Sequence, residues 1–268
     1  MKKTRETVLI TGAWSGIGKG LALVSAQHNY DVILVARSAD KLEALAAQLS
    51  HEYTIEVTVR PCDLAAPGSV KFLCEGLIAE GKQIDILVNC AGTLEHGAFV
   101  NMSADDHQRI LQLNVAAHTA MLSYLLPPMV ARGAGKILNV ASLGACQPLP
   151  SVAVYAASKA YVLSLSEALM EEVRGSGVTV TVLCPGLTAT GMMSGAKQKN
   201  RNLRSIPNWV VGDPNAVARQ AFRACLKGDA IVIPGVRNHL TSIFSRATPK
   251  WLVRRVVGIL GRATLPRA

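Results

Sequence analysis

Three side chains in the second half of the chain could act together on a substrate. Tyr155 and Lys159 lie four residues apart, and Ser142 precedes them. On a helix, residues four apart share a face, so the phenol would lie beside the ammonium. A neighbouring cation stabilises a phenolate and lowers its pKa, which makes the phenol a usable acid and base. With a serine hydroxyl to hold an oxygen, this set predicts proton transfer at a carbonyl or alcohol, although each pattern alone is common on ordinary helices and loops.

A glycine-rich turn near the N-terminus predicts a phosphate site. Thr11 to Gly18 reads Thr-Gly-Ala-Trp-Ser-Gly-Ile-Gly and lies between a predicted strand and a predicted helix. Glycines let the backbone turn sharply and approach a phosphate, and the following helix points the positive end of its dipole at that phosphate. Glycines also serve plain tight turns, so the strand–turn–helix context is what favours nucleotide binding.

The residues after the second predicted strand indicate which nucleotide is bound. An NAD site usually carries an acid there, for the ribose hydroxyls. Here Arg37 and Ser38 follow the strand, with Lys41 close behind. A planar guanidinium suits a ribose 2′-phosphate, so we expect NADP (NADPH) in preference to NAD. Ser15 lies just before the second glycine of the turn. A basic residue at this position could have made a second contact with the 2′-phosphate, and that contact is missing here.

These residues must be positioned by an alternating series of strands and helices. Such alternation implies right-handed βαβ units and a three-layer, doubly wound parallel α/β sheet in a single domain. The predicted strands are 7–10, 31–36, 55–60, 84–89, 136–142, 178–184 and 230–233. The predicted helices are 17–28, 39–49, 69–80, 105–124 (ending near Pro127), 155–174 and 215–227.

Composition narrows the class of protein. Half of the 268 residues are hydrophobic and only 4% are aromatic, which favours a core of small side chains between helices and sheet. The six cysteines form no CxxC pair, so we expect no metal site and a reduced, cytoplasmic location. The net charge is +10, yet no aromatic-studded basic groove is evident, and we expect no nucleic-acid binding.

Several motifs in register resemble the classical short-chain dehydrogenase/reductase (SDR) family. Thr11 to Gly18 is similar to its Thr-Gly-x-x-x-Gly-Ile-Gly turn, and the segment 89–92 to its Asn-Asn-Ala-Gly, with Cys90 in place of the second Asn. The segment from Pro185 to Thr190 is similar to its Pro-Gly-x-x-x-Thr. The family's catalytic tetrad matches Asn114, Ser142, Tyr155 and Lys159. The resemblance covers about residues 7–235 and implies a Rossmann-like fold.

The resemblance also implies a role for each residue. Tyr155 would give its proton to the carbonyl oxygen during reduction, Ser142 would hold that oxygen, and Lys159 would lower the phenol pKa and bind the nicotinamide ribose. Asn114 would hold a water that links Lys159 to solvent. The predicted cofactor contacts are Gly12, Ser15, Gly16, Ile17, Gly18, Arg37, Ser38, Lys41, Asp63, Leu64, Asn89, Ala91, Gly92, Tyr155, Lys159, Pro185, Gly186, Leu187, Thr188 and Thr190.

Two functions stay open at this point. The first is an NADP(H)-dependent oxidoreductase acting on a carbonyl or alcohol of a small molecule. Leu143, Ala145, Leu149 and Val152 suggest an apolar pocket wall, which favours a hydrophobic substrate. The second is an NADP-binding regulatory or scaffold protein with little turnover. A broken tetrad would mark the second, and the tetrad here is intact.

Two segments fall outside the core pattern of the predicted single domain, 1–268. Residues 191–211 are polar and poorly periodic, and we expect them to form a lid over the substrate. Residues 236–268 form a C-terminal extension with seven Lys or Arg and no acid. Within it, 250–262 reads as an amphipathic helix that either docks on protein or lies at an anionic membrane surface. The family resemblance further implies a homodimer or homotetramer built on the two long helices.

Overall fold

A computed structural model describes residues 5–191, 211–235, 237–239, 248–249, 251–255 and 257–258. The strands are β1 Thr7–Thr11, β2 Asp31–Ala36, β3 Val57–Pro61, β4 Ile86–Asn89, β5 Gly135–Val140, β6 Val178–Leu183 and β7 Ile231–Val232. The α-helices are α1 Gly16–Gln27, α2 Ala39–Glu52, α3 Ser69–Ala79, α4 Ala104–Leu111, α5 His118–Ala131, α6 Ala153–Glu172 and α7 Pro214–Lys227. These bounds lie within a few residues of the predicted ones for most elements.

The strands form one parallel sheet in the order β3-β2-β1-β4-β5-β6-β7. The order reverses beside β1, which pairs with β2 on one side and β4 on the other. In sheets of this kind ligands bind at the carboxyl ends of the strands, next to that reversal. The predicted doubly wound α/β fold is confirmed, and its reversal point places the glycine turn beside the residues that follow β4.

The sheet is covered by helices on both faces, because its central strands are apolar on both sides. Along β1, Val8 and Ile10 face one core and Leu9 faces the other, as the alternation of a strand requires. The first core packs the strands against α1, α2 and α7, and the second packs them against α3, α5 and part of α6. Close packing of this kind holds the carboxyl ends of the strands in a fixed relation.

The helix predicted over 105–124 differs from expectation in two ways. Between α4 and α5 the backbone winds as a π-helix over Gln112–Ala117. Farther on, α5 runs past Pro127 and includes Pro128, whereas the sequence predicted an end near Pro127. Both prolines are exposed, so water can satisfy the carbonyl groups that they leave unpaired. Met129, the next residue, is fully buried and draws the last turn onto the core.

Helix α7 begins and ends with strong local signals. Asp213 accepts hydrogen bonds from the backbone N–H groups of Asn215 and Ala216, and Pro214 occupies the first turn. The helix ends at Gly228, whose φ of 77° is left-handed and suits glycine. The fully buried Phe222 anchors this helix in the same core as α1.

The predicted lid and most of the C-terminal extension lie outside the described residues. Of the lid, 192–210 are not described, and of the predicted helix over 250–262 only 251–255 and 257–258 are, all of them helical. In that short piece Val253 is buried, while Trp251 and Leu252 are exposed. The burial of Val253 indicates that one side of this short helix packs on the protein.

Candidate active site

The glycine turn after β1 is closely packed and needs its glycines. Gly12 and Gly16 have left-handed φ values of 69° and 53°. A Cβ at Gly18 would lie 2.2 Å from the Gly12 carbonyl oxygen, and one at Gly16 would lie 2.7 Å from Thr190 Cγ2. The turn therefore leaves its backbone bare at the N-terminus of α1, which is the cradle that a pyrophosphate requires. The residues present fit a dinucleotide.

The side chain of Thr11 joins this turn to the segment that follows β4. Its Oγ1 accepts hydrogen bonds from the N–H groups of Cys90, at 2.9 Å, and Ala91, at 3.0 Å. A Cβ at Gly12 would also lie 3.0 Å from the Ala91 Cα. The sequence brought Thr11 into the turn motif without assigning it a role. Its position at the end of β1, beside the end of β4, is the signal that could have shown one.

The predicted 2′-phosphate residues meet at the carboxyl end of β2. Arg37 follows β2 directly, Ser38 is the N-cap of α2, and Lys41 lies in the first turn of that helix. The Ser38 side chain makes no capping hydrogen bond. Arg37 and Lys41 are exposed, and neither forms an ion pair with any carboxylate of the described residues. The edge of the site therefore carries two cations that form no ion pair with a described carboxylate, which suits an anionic group.

Ser142 lies two residues beyond β5 and begins a short 3-10 turn over Leu143–Cys146. Its Oγ accepts a hydrogen bond from Gly144 N at 3.0 Å. The following Leu143 N–H donates to the Pro185 carbonyl oxygen, which ties this turn to the segment after β6. The hydroxyl is thereby held at the carboxyl edge of the sheet, where a substrate oxygen would lie.

Tyr155 lies in the first turn of α6 and is hydrogen-bonded through its side chain to Ser142. Burial raises the pKa of the Tyr155 phenol above its ordinary value, and the hydrogen bond with Ser142 acts in the opposite direction. The Lys159 ammonium lies 6.0 Å from the centre of the Tyr155 ring and donates its hydrogen bond to the Val140 carbonyl oxygen, so its effect on the phenol pKa stays a prediction. The phenol is thus protonated at neutral pH.

Lys159 is buried, and its ammonium donates a hydrogen bond to the Val140 carbonyl oxygen at 2.8 Å. Burial lowers the pKa of Lys159 to about 8. Burial raises the pKa of the nearby Cys90 thiol to about 11, and the positive charge of Lys159 acts in the opposite direction. A buried ammonium at the end of β5, next to Ser142 and Tyr155, is a positive centre that the core alone would not require.

Asn114 lies within the π-helix and is completely buried. Its amide accepts from Thr93 N at 2.8 Å and donates to the Thr93 carbonyl oxygen at 2.9 Å and to Ser158 Oγ at 3.0 Å. A Cβ at Gly92 would lie 3.3 Å from both Asn114 Oδ1 and Lys159 Nζ. Asn114 therefore braces the segment after β4 against α6, and its role in holding a water stays a prediction. Single π-helical turns occur frequently at functional sites.

The side chain of Asn89 faces the core, although the family resemblance placed this residue among the cofactor contacts. Its side chain is buried and donates to the His118 carbonyl oxygen at 3.0 Å. His118 is itself buried, and burial, with a further contribution from the charge of Lys159, lowers the pKa of this histidine to about 3. The sequence analysis did not single out His118, because a histidine inside an apolar helix face gives no signal of its surroundings.

The segment after β6 closes the site from the other side. Thr188 Oγ1 donates to the Gly186 carbonyl oxygen, and Thr188 pairs with Gly212 in an isolated parallel bridge. Leu187 is exposed, and Thr190 reaches the glycine turn at Gly16. The segment from Pro185 to Thr190 thus lies beside the glycine turn, and its contact with a cofactor stays a prediction.

The remaining predicted cofactor contacts lie just beyond the end of β3 and at the start of α1. Asp63 accepts a hydrogen bond from Ala65 N at 3.1 Å and is exposed, whereas Leu64 is buried in the second core. Ser15 caps α1 without a side-chain hydrogen bond, and Ile17 is buried behind the turn. The residues predicted for the site therefore lie at or beyond the carboxyl ends of β1 to β6, with the side chains of Asn89 and Leu64 directed inward.

A small cavity beside Tyr155 is lined mainly by apolar side chains, including Phe99, Met102, Ile110 and Val152. Of the residues predicted to form an apolar wall, Val152 lines this cavity, while Ala145 packs with the core under α6 and Leu149 lies against Gly144. Glu95 and His107 add polar groups to the lining. Hydrophobic contacts with a few polar groups are usual in substrate pockets.

Among the described residues, no group of three or more His, Cys, Asp or Glu side chains could hold a metal ion. None of the helices built from them is both long and apolar enough to cross a bilayer.

Comparison with known proteins agrees with this geometry. A sequence model described as short chain dehydrogenase matches residues 6–201. A curated relative, the human "Inactive hydroxysteroid dehydrogenase-like protein 1", is 29% identical over 266 residues, which cover 98% of this chain and 78% of that protein.

Two solved structures resemble the whole fold. A 7beta-hydroxysteroid dehydrogenase studied for its stereoselectivity superimposes with a TM-score of 0.85 and 25% identity, covering 94% of this chain and 96% of that one. A short-chain dehydrogenase from Sphingobium yanoikuyae in complex with NADPH gives a TM-score of 0.81 and 30% identity, covering 98% and 97%.

Proposed function

Because this chain belongs to the short-chain dehydrogenase family, whose members are oxidoreductases, we propose that it is an NADP(H)-dependent enzyme acting on a carbonyl or alcohol. The observation that carries the proposal is the Tyr155–Ser142 hydrogen bond, with the buried Lys159 one turn along α6. This group lies at the carboxyl edge of the sheet, on the same edge as the glycine turn. Both halves of such a reaction, the cofactor and the reacting oxygen, have residues suited to hold them.

The bound nicotinamide supplies or accepts the hydride. Ser142 holds the substrate oxygen, since its hydroxyl is already fixed beside Tyr155 by Gly144 N. Tyr155, which burial keeps protonated at neutral pH, gives its proton to that oxygen during reduction, and the phenolate that remains regains a proton from solvent. In the oxidation direction the phenol must first lose its proton to solvent, and the phenolate then accepts the proton of the alcohol. Lys159 places a positive charge near the phenol as charge develops on it, and Asn114 holds the segment after β4 in place.

NADP(H) is proposed over NAD(H) on the strength of the charges at the end of β2. Arg37 and Lys41 face solvent without a carboxylate partner among the described residues, and no acid occupies the two positions after the strand. The NADPH complex of the Sphingobium relative supports the same choice. A 2′-phosphate would give these cations a partner with which to form charge-assisted hydrogen bonds.

The substrate is proposed to be a bulky, hydrophobic ketone or secondary alcohol. The apolar lining of the small cavity beside Tyr155 supports the hydrophobic character, and the bulk is inferred from a structural neighbour of high TM-score, which is a hydroxysteroid dehydrogenase. Steroid-sized ketones are therefore the first probes. A panel of bulky and small ketones, each offered with NADPH and with NADH, tests the proposal through the loss of reduced-nicotinamide absorbance. NADPH-dependent turnover of the bulky ketones is expected, and absence of turnover with every ketone would contradict it.

A second candidate is a protein that binds NADP for regulation and turns over little. The inactive name of the human relative favours it. Against it, this chain keeps the Ser142, Tyr155 and Lys159 side chains in one site. Tight NADPH binding with no turnover across the same panel would select this candidate.

The proposed assembly is a homodimer or homotetramer formed through α5 and α6. Tyr161 on α6 is 38% exposed, and its hydroxyl is hydrogen-bonded to Thr119 on α5, so the two helices present one continuous surface. Light scattering after size exclusion measures the mass directly. A monomeric mass would contradict the proposal.

The C-terminal extension is proposed to dock on protein or to contact an anionic membrane surface. The buried Val253 favours docking, and the exposed Trp251, Leu252, Arg254 and Arg255 keep the membrane contact open. Co-sedimentation with anionic vesicles, compared between the full chain and a chain ending at Arg246, separates the two. No vesicle binding by the full chain, with a changed mass on truncation, would select docking.

A further inference from the structure

Trp14 and Lys41 form a contact that neither the core nor the catalytic group requires. The Lys41 ammonium lies 3.9 Å from the centre of a Trp14 ring, well within the range of a cation–π interaction. Trp14 is 37% exposed, although it is one of the largest side chains in the protein. Packing in the hydrophobic core therefore does not explain the position of this indole, and its contact with Lys41 does.

The contact joins the two loops that an NADP molecule would occupy. Trp14 lies in the glycine turn after β1, between Gly12 and Gly16, and Lys41 lies in the first turn of α2. The strands before these loops are neighbours in the sheet, and Gly12 N donates to the Val35 carbonyl oxygen at 2.8 Å. The Trp14 ring therefore brings the Lys41 ammonium towards the glycine turn, on the side where Arg37 follows β2.

The surroundings leave Lys41 available for an anion. No carboxylate of the described residues lies within ion-pair distance of its ammonium, and the Ser38 hydroxyl makes no capping bond at the start of α2. The position before the second glycine, from which a basic side chain could also reach this place, is occupied by Ser15. A second cation for the phosphate beside Arg37 must therefore be supplied by a residue other than the one at position 15.

The geometry points to Trp14 as a positioning residue that holds Lys41 against the 2′-phosphate of NADP, so that Lys41 supplies the second cation that Ser15 does not. Lys41 is then the phosphate contact, and Trp14 acts through it by restricting a flexible side chain to one place. A lysine fixed before the ligand arrives loses less conformational freedom on binding. This inference rests on the proposed use of NADP.

The test is the difference in affinity between NADP⁺ and NAD⁺, measured by titration calorimetry without substrate. Trp14→Leu removes the ring and is expected to raise the Kd for NADP⁺ by about three- to fivefold, the range of an exposed cation–π contact. Lys41→Met is expected to raise the Kd for NADP⁺ by about tenfold, since it removes a charge-assisted contact. Both variants should leave the Kd for NAD⁺ nearly unchanged, and that value also reports correct folding.

Two further variants separate positioning from other roles. In a Lys41→Met background, Trp14→Leu should cause no further loss of NADP⁺ affinity, because the residue through which it acts is gone. Lys19→Met is the matched control, since Lys19 is an exposed lysine on α1 close to the same turn. It should leave the ratio of the two Kd values as in the wild type.

Three results would count against these ideas, and they can be told apart. If Trp14→Leu changes neither the Kd for NADP⁺ nor the Kd for NAD⁺, the role of Trp14 is overturned. Equal weakening of NADP⁺ and NAD⁺ binding also overturns it, because the indole would then contact the adenosine that both cofactors share. Equal binding of NADP⁺ and NAD⁺ by the wild type contradicts the proposed cofactor, and the positioning role falls with it.

Discussion

The ammonium of Lys159 is bound to the carbonyl oxygen of Val140, at 2.8 Å, across the interface between α6 and β5. Val140 is the last residue of β5, and Ser142 follows it by two positions. The contact therefore fixes the helix that carries Tyr155 to the strand that carries Ser142. It also places a buried positive charge in the core, and that charge makes the stability of the fold depend on pH.

The first prediction concerns that dependence. The pKa of Lys159 is about 8 in the folded chain, against an ordinary value of 10.5, so between these values the unfolded chain binds more protons. Stability therefore rises with pH across this window, by up to about 3 kcal/mol. The free energy of unfolding of the wild type, minus that of Lys159→Met, should increase from pH 8 to pH 10.5 when denaturant titrations are made without nucleotide.

The comparison needs a lysine that is exposed to solvent in both the folded and the unfolded chain. Lys71, whose side chain is 62% exposed on α3, provides one. The difference between the wild type and Lys71→Met should stay flat over the same pH range. A flat difference for Lys159→Met as well would mean that the Lys159 pKa is not lowered by folding.

A second prediction tests the bond between the ends of β1 and β4. Thr11→Val keeps the shape of the side chain and removes the oxygen that accepts from Cys90 N and Ala91 N. Two backbone N–H groups would lose their partner, so we expect a loss of about 2–3 kcal/mol in the free energy of unfolding, together with weaker NADPH binding. Ser123→Ala, which removes a hydroxyl from an exposed turn of α5, is the control. Equal stability of the two variants would contradict the prediction.

A third prediction tests the cofactor preference. Arg37→Asp replaces a guanidinium by a carboxylate that repels a 2′-phosphate and can accept ribose hydroxyls. We expect the ratio of kcat/KM for NADPH to that for NADH to fall by about 100-fold. Arg223→Asp makes the same change at an exposed position on α7 and should leave the ratio unchanged. An unaltered ratio in Arg37→Asp would remove Arg37 from the site.

The sheet and the gathering of the site could be predicted from sequence, because both follow from local patterns. Apolar runs bounded by glycines and polar residues gave the strands, and alternation with helices implied a parallel sheet. In a parallel sheet all carboxyl ends lie on one edge, so Gly12, Arg37 and Ser142 had to lie along that edge. The observed strand order β3-β2-β1-β4-β5-β6-β7 supplies that edge.

What could not be predicted depends on side-chain direction and on contacts distant in sequence. The π-helix around Asn114 has no sequence mark, and α5 continues through Pro127 because Met129 packs beyond it. Asn89 belongs to a motif that suggested an outward role, yet its amide is buried against His118. The pairing of Trp14 with Lys41 depends on how α2 is placed beside the glycine turn, which periodicity does not describe.

The central claim is that the Tyr155 hydroxyl transfers the proton, and one pair of rates tests it most directly. The rate of NADPH oxidation with bulky ketones is measured for the wild type and for Tyr155→Phe, with the Kd for NADPH determined for both. Tyr161→Phe is the control, because the hydroxyl of Tyr161 is hydrogen-bonded to Thr119 on the surface of α5 and α6. We predict turnover by the wild type and the control, and a loss of about 1000-fold in Tyr155→Phe with NADPH still bound. Equal rates in the wild type and Tyr155→Phe, whether both proteins are active or both are silent, would contradict the claim.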